Sequence, residues 1–296
     1  MLNNAIDEYG DIEFNAKFGI SGFSVNEITN VVDIGMFDRA KESTVLAYLE
    51  ANVEGFTPRS VVFNDGCETV PTVASSTATT ALAGDEINRP IAGGSVVLGS
   101  IGFNAYTQIG GVKTYGVVTA GHFADLNDVA YNVYGTKIGL CTISNFFSVN
   151  GGNCKLDVAF IPISVNPSGP SITPSSKVSN NIWNSTEEDV RGIRYDYDIV
   201  VGMDVLKIGR TTGYNTGYVS SKGITGSSNS YYYTDQLKTT NYCAGGDSGG
   251  MLGEWVAGIS GGVFLIGITS MSDSTYGYFT MADNIAYYLG IYPVTK

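Results

Sequence analysis

From Val96 onward, short apolar or alternating runs follow one another, punctuated by glycine and polar residues. Val96–Phe103, Tyr115–Thr119, Lys137–Ile143 and Asp157–Ile163 come first; after a less regular middle come Leu206–Gly209, Gly217–Ser221, Gly250–Leu252, Trp255–Ile259 and Val263–Thr269. Alternation with period two over such lengths predicts strands, and their spacing is that of antiparallel β-barrels. Near the end the period changes: Ile285, Tyr288 and Leu289 fall at helical intervals, predicting a helix over Met281–Leu289.

The first 68 residues read differently. Gly22–Val25 and Val31–Met36 are strand-like runs around a turn at Ile28-Thr29-Asn30. Asp38 is a candidate N-cap for a helix over Arg39–Val53, with Leu46, Leu49 and Val53 on one face, and Gly55 ends it. Ser60–Phe63 reads as a further strand. The organisation expected is an α+β unit over 1–68, a small-residue linker over 69–88, and a β-rich part over 89–296 with barrels at about 89–185 and 200–296.

Charge follows the same division. Of the net charge of −12, residues 1–88 carry −10 (14 acidic and 4 basic side chains), leaving −2 for residues 89–296 (14 and 12). This is either a solvated surface or a separable acidic module on a nearly neutral one. No basic cluster exists to meet phosphates, so no nucleic-acid partner is expected. Trp255–Met271 is the longest apolar stretch, but glycines at 258, 261, 262 and 267 divide it. It reads as two buried strands, and no membrane partner is expected. No charged segment followed by an apolar one opens the chain, so no signal peptide is read there.

Four cysteines (67, 141, 154, 243) and a single histidine exclude zinc sites built on several histidines. Cys141 and Cys154 flank a Ser-, Asn- and Gly-rich stretch suited to a hairpin closed by a disulfide, which would place the chain in an oxidising compartment; two free buried thiols are the alternative.

The lone histidine, His122, lies in Val118-Thr119-Ala120-Gly121-His122, and Gly245–Gly250 reads Gly-Gly-Asp-Ser-Gly-Gly. A serine hydroxyl needs a neighbouring base to become a nucleophile, and histidine is the usual base near neutral pH. Flanking glycines suit a tight turn that lets a carbonyl approach backbone N–H groups. With Leu-Asp-Val-Ala-Phe at 156–160, Lys-Ile-Gly-Arg-Thr-Thr-Gly at 207–213 and Gly-Ile-Thr-Ser at 267–270, these stretches resemble the trypsin/chymotrypsin family of serine peptidases. The likeness is to its bacterial secreted branch of α-lytic and streptogrisin type. The order His, Asp, Ser is the order of that family, whereas other folds bearing the same triad use other orders.

The resemblance implies an all-β protein of two antiparallel β-barrels with a C-terminal helix. Before it, the α+β unit resembles the pro-region of this branch, which assists folding and blocks the active site. It further implies Ser248 as nucleophile, His122 as general base and Asp157 as the residue orienting it. Asp125 and Asp128, closer to His122, lie in a polar loop and read as surface acids. The N–H groups of Gly246 and Ser248 would form the oxyanion hole, and Ser270 would support Asp157. Asp247 would be held by an internal cation, Lys207, with Arg210 as the alternative. Tyr242, Met271 and Ser272 would line the specificity pocket. No carboxylate marks the pocket base, which favours a medium apolar side chain over Arg or Lys.

Two departures stand out. Phe123 follows the histidine where a cysteine is frequent, and Cys243 lacks its usual partner downstream of Ser270. The reading is a secreted, monomeric serine endopeptidase, made as a zymogen, acting on protein or peptide substrates without metal or organic cofactor. The other class weighed is a catalytically silent protease-like binding module.

Overall fold

The computed structural model describes residues 17–26, 31–36, 38–65, 77–91, 93–146, 153–165, 169–179, 188–228, 231–257, 262–273 and 275–296. The chain divides into two compact units, residues 1–69 with 273–276, and residues 70–272 with 277–296.

In the first unit, strand β1 (Ile20–Asn26) pairs antiparallel with β2 (Val31–Met36). Helix α1 (Glu42–Asn52) then leads to β3 (Val61–Asp65), which pairs parallel with β2, Ile34 opposite Phe63. The predicted helix is thus shorter than Arg39–Val53. Asp38 caps a 3-10 turn, Arg39–Lys41, accepting from the Ala40 N–H at 3.1 Å, whereas the α-helix itself starts after Lys41 with no side-chain cap. Its buried face runs through Val45 and Leu49 onto Phe18, Ile20, Ile34, Met36 and Val61, a core separate from the others; Leu46, expected on that face, is only partly buried.

The second unit opens with β4 (Glu86–Pro90), β5 (Val96–Ser100), β6 (Phe103–Ile109), β7 (Val112–Thr119), β8 (Val129–Asn132), β9 (Lys137–Leu140), β10 (Ile143–Asn145), β11 (Asn153–Cys154) and β12 (Val158–Pro162). It continues with β13 (Lys177–Val178), β14 (Glu188–Ile193), β15 (Asp204–Gly209), β16 (Gly213–Ser228), β17 (Tyr231–Thr239), β18 (Met251–Val256), β19 (Gly262–Ser272) and β20 (Gly277–Met281). Helix α2 (Ala282–Leu289) and β21 (Tyr292–Pro293) close it.

The first barrel combines the sheets β5-β4-β8-β9 and β10-β12-β7-β6-β21 around Ile87, Ile101, Val117, Phe123, Ile138 and Ile161. The second is the long sheet β11-β17-β16-β15-β18-β19-β14-β13, in which β20 bridges β17 and β19 over Val205, Val219, Leu237, Ile266 and Phe279. A third cluster takes Phe103, Val158 and Phe160 from one barrel and Leu206, Ile208, Met251 and Ile268 from the other, with Ile285 of α2. It cements the two barrels into one unit. Most ladders are antiparallel, with β14–β19 and β11–β17 parallel. Trp255–Met271 divides between β18 and β19, and no helix among the described residues is long and apolar enough to cross a membrane.

Two expectations are corrected. Residues 81–88 are not linker: Ala81–Asp85 are buried and β4 begins at Glu86, with Ile87 fully enclosed. Small side chains serve close packing here. A Cβ on Gly84 would stand 2.3 Å from Cγ2 of Ile208, and the Ala81 carbonyl accepts from the Asn104 amide at 2.6 Å. The rest of the predicted linker that precedes Thr77 lies outside the described residues.

Nor does a Cys141–Cys154 crosslink form. Cys141 is a free, buried thiol donating to the Ile143 carbonyl at 3.3 Å, and burial pushes it up to about 12. The cause is topological, since β10 pairs with β12 while the Cys154 backbone joins β17 of the other barrel. No hairpin brings the two together. Cys243 is likewise free and buried, and Cys67 lies outside the described residues.

Candidate active site

Strand β7 ends at Thr119 and delivers His122 on a one-turn 3-10 segment, Gly121–Phe123. Gly121 must be glycine for β12 to approach: a Cβ there would lie 2.8 Å from the Val158 nitrogen. Phe123 is buried in the first barrel against Gly99, where an added Cβ would meet its ring at 2.6 Å. An aromatic seated on a glycine thus anchors the histidine turn by packing.

Because β12 runs antiparallel to β7 with Ala159 opposite Thr119, Asp157 arrives beside His122. Fully buried, Asp157 accepts from the His122 backbone N–H at 2.9 Å, from ring Nδ1 at 2.7 Å and from the Ser270 hydroxyl at 2.6 Å. A carboxylate only accepts, so Nδ1 carries the proton and Nε2 is left to accept from Ser248 Oγ, 2.8 Å away. Burial alone would lower the imidazole's pKa. The charge of Asp157 and its hydrogen bond outweigh that, and the net shift is upward. Asp125 and Asp128 lie elsewhere: Asp128 takes Arg89 at 2.8 Å and the Asp125 backbone N–H at 2.8 Å.

Ser248 sits on the turn between β17 and β18. The Gly249 N–H donates to the Thr269 carbonyl and the Thr269 N–H to the Gly250 carbonyl, both at 2.7 Å, which tie the turn to β19 and Ser270. Asp247 points inward, fully buried beside an equally buried Lys207 at 2.6 Å. It also accepts from the backbone N–H groups of Thr211, Thr212 and Ala244 at 2.9, 3.1 and 2.9 Å, and from the Thr212 hydroxyl at 2.7 Å. Burial pushes against ionisation, but the Lys207 ammonium and these donors prevail and hold the carboxyl below its ordinary value. Arg210 is engaged by Glu86 at 2.7 Å instead. Gly246 takes φ +98°, a conformation glycine tolerates. Among the described residues, no acceptor meets the N–H groups of Gly246 and Ser248, whereas those of Asp247, Gly249 and Gly250 are all bonded.

A cleft of about 350 Å³ opens beside His122 and Ser248. Met271 and Ser272 line it; Tyr242 is not among its lining residues, and the wall starts one residue later, at Cys243. Phe146 and Tyr233 also line it, the Phe146 ring edge-on to the imidazole at 5.6 Å. Neither belongs to a motif, and nothing in their local sequence marks them. Among the described residues, no lining side chain is acidic or basic apart from the imidazole. Among the described residues, no group of three or more His, Cys, Asp or Glu side chains is placed to hold a metal.

Neither the protein-family models nor the curated proteins contain a match to this chain. Solved structures do. Protease A of Thermobifida fusca aligns over 74% of this chain and all of its own at 22% identity, with a TM-score of 0.55. Nocardiopsis protease aligns over 73% of this chain and all of its own at 22% identity and 0.56. Cellulomonas bogoriensis chymotrypsin covers 73% of this chain, again with its whole length, at 23% and 0.54. The second unit therefore has the double-barrel fold of these bacterial proteases.

Proposed function

We propose that this chain, which has the fold of the bacterial chymotrypsin-like serine proteases, is a serine endopeptidase that works through an acyl-enzyme. One observation carries the reading: an unbroken hydrogen-bonded line from Asp157 through His122 to Ser248, at 2.7 and 2.8 Å. It ends beside two backbone N–H groups that lack partners among the described residues.

Ser248 Oγ attacks the scissile carbonyl while Nε2 of His122 takes its proton. The carbonyl oxygen becomes an oxyanion facing the N–H groups of Gly246 and Ser248. The imidazolium, stabilised by Asp157, gives the proton to the leaving amine as the C–N bond breaks. Water, deprotonated by the same imidazole, then releases the acid and restores Ser248. Ser270 donates to the same Asp157 oxygen, Oδ2, that meets the imidazole, and the Lys207–Asp247 pair holds the turn. Neutral walls at Cys243, Met271 and Ser272 support a medium apolar side chain in the pocket. The first unit, with its own core and most of the net negative charge, is read as a pro-region that inhibits the second, and the likeness to secreted bacterial enzymes supports export.

A fluorophosphonate probe tests the reading, since it labels only an activated serine. Labelling should map to Ser248 and vanish in His122→Ala. Ser248→Ala or His122→Ala should each lower turnover by about a million-fold, because the members act as a unit. A folded chain that resists the probe both intact and after trimming of its first unit would instead be a silent binding module.

A further inference from the structure

An oxyanion hole depends on where two N–H groups point, and direction is a property of whole peptide planes. In a trans peptide the C=O and N–H are antiparallel, so holding the oxygen on one side aims the hydrogen at the other. Three consecutive carbonyls in this turn are held. That of Asp247 accepts from the Gly250 N–H at 2.7 Å, which orients the N–H of Ser248. That of Gly246 accepts from the Ser100 hydroxyl at 2.9 Å. That of Gly245 accepts from the Thr211 hydroxyl at 2.8 Å, and this plane carries the N–H of Gly246.

The first of these planes needs no side chain, but the Gly245–Gly246 plane does. It joins two glycines, which impose little preference of their own on its orientation. Thr211 is seated directly on it: a Cβ on Gly246 would stand 2.5 Å from Thr211 Oγ1. Thr211 is itself fixed twice, its N–H on Asp247 Oδ1 at 2.9 Å and its hydroxyl accepting from Arg210 Nη1 at 3.2 Å. Arg210 in turn is clamped to Glu86 of β4 in the other barrel, and its backbone N–H donates to Ser100 Oγ at 2.9 Å.

We infer that Thr211 is a positioning residue for the oxyanion hole, its hydroxyl holding the Gly245–Gly246 peptide so that the Gly246 N–H faces the developing oxyanion. This rests on the serine-peptidase reading. The buried Lys207–Asp247 pair secures the turn as a body. Thr211 sets the direction of one donor within it, with Arg210 and Glu86 behind it.

Thr211→Val keeps the shape and removes the donor. On the chain as isolated, with a small peptide anilide, it should lower kcat about tenfold, less than the hundredfold or more of deleting a donor outright, and leave KM within twofold. Affinity for a peptide aldehyde, whose adduct with Ser248 carries the oxyanion, should fall by the same factor. Thr211→Ser, which restores the hydroxyl, should return both to within about twofold of the parent. If Thr211→Val loses the turn, seen as a drop in Tm, Thr211→Ala takes its place with the same expectation. Parent-like kcat and aldehyde affinity without the hydroxyl overturn the assignment, as does a Thr211→Ser chain as slow as Thr211→Val. A parent chain that, intact and trimmed of its first unit, neither turns over nor takes the fluorophosphonate overturns the peptidase reading and this assignment with it; an active parent with an indifferent Thr211→Val overturns the assignment alone.

Discussion

At the scale of single residues, the imidazole of His122 decides the pH behaviour. Burial pulls its pKa down and Asp157 pulls it up by more, so the folded value lies above the ordinary one. The base must be neutral, so kcat/KM should rise with pH through an ionisation above about 6.5 and not at it. The same shift acts on stability with the opposite sense: protonation favours the folded state, a contribution complete below the unfolded value and lost as pH rises through the folded one. Asp157→Asn removes the raising cause and leaves burial. Its rate limb should move below that of the parent while the plateau falls about ten-thousandfold. Superimposable limbs in the two pH profiles would contradict this account. Lys207 behaves differently, because replacing it strands a buried carboxylate. Lys207→Met should cost about 3–5 kcal/mol in denaturant unfolding, with Asp247 then easier to protonate. In the parent, the depressed value of Asp247 contributes stability above its unfolded value, and that is lost as pH falls through the folded one. His122, Asp157 and Ser248 were legible because each stands in a short motif of unusual composition. The roles of Ser100 and Thr211 were not: Ser100 stands in no motif, and Thr211, though inside the 207–213 stretch, carries no local sign of whether its hydroxyl meets water or a carbonyl.

At the scale of elements, apolar or alternating runs found about half the strands of the second unit, because one face of each meets a barrel core. Among those found were β5, β7, β12, β15, β18 and β19, whereas others such as β8, β14 and β17 were missed. The pattern failed where side chains are small. Ala81-Leu82-Ala83-Gly84 resembles linker in composition, yet the Gly84 position is where β15 passes over the approach to β4. Gly84 and Gly93 both have φ +89°, but only Gly84 has a neighbour within 4 Å of an added Cβ. Gly93→Ala should therefore cost only backbone strain, about 1 kcal/mol. Gly84→Ala adds a collision with Ile208 and should cost about 2–4 kcal/mol. Equal Tm losses in the pair would show that Ile208 yields freely. Pairing partners were the other gap. The polar stretch after Cys141 looks like a hairpin loop, and no local feature reveals that Cys154 leaves for the second barrel. Such pairings are set by which edges remain open once both barrels form.

At the scale of the whole molecule, the composition break and the fold boundary fall near each other but do not coincide, and the difference bears on processing. A cut between Gly84 and Ala92, at the end of the small-residue stretch, would fall in or against β4 and the buried residues before it. Residues from Thr77 on are already tied in: the Asn132 amide donates to the carbonyls of Thr77 and Thr80, each at 3.1 Å, and Thr80 bridges to Thr173. A protease needs extended, accessible backbone, so the mature chain should begin at or before Thr77. Residues 1–76 hold 12 acidic and 4 basic side chains, a net −8, and residues 77–296 hold 16 and 12, a net −4. Maturation should remove two thirds of the net negative charge and raise the isoelectric point, visible by isoelectric focusing and the intact mass of the product. A Ser248→Ala chain should stay at full length if processing is autocatalytic, whereas a host protease would still trim it. On a large protein substrate the intact chain should be the slower of the two. A mature N-terminus inside β4 would overturn the placement of the cut, and equal activity of intact and trimmed chains would sink the inhibitory reading of the first unit while leaving the peptidase reading of the second intact.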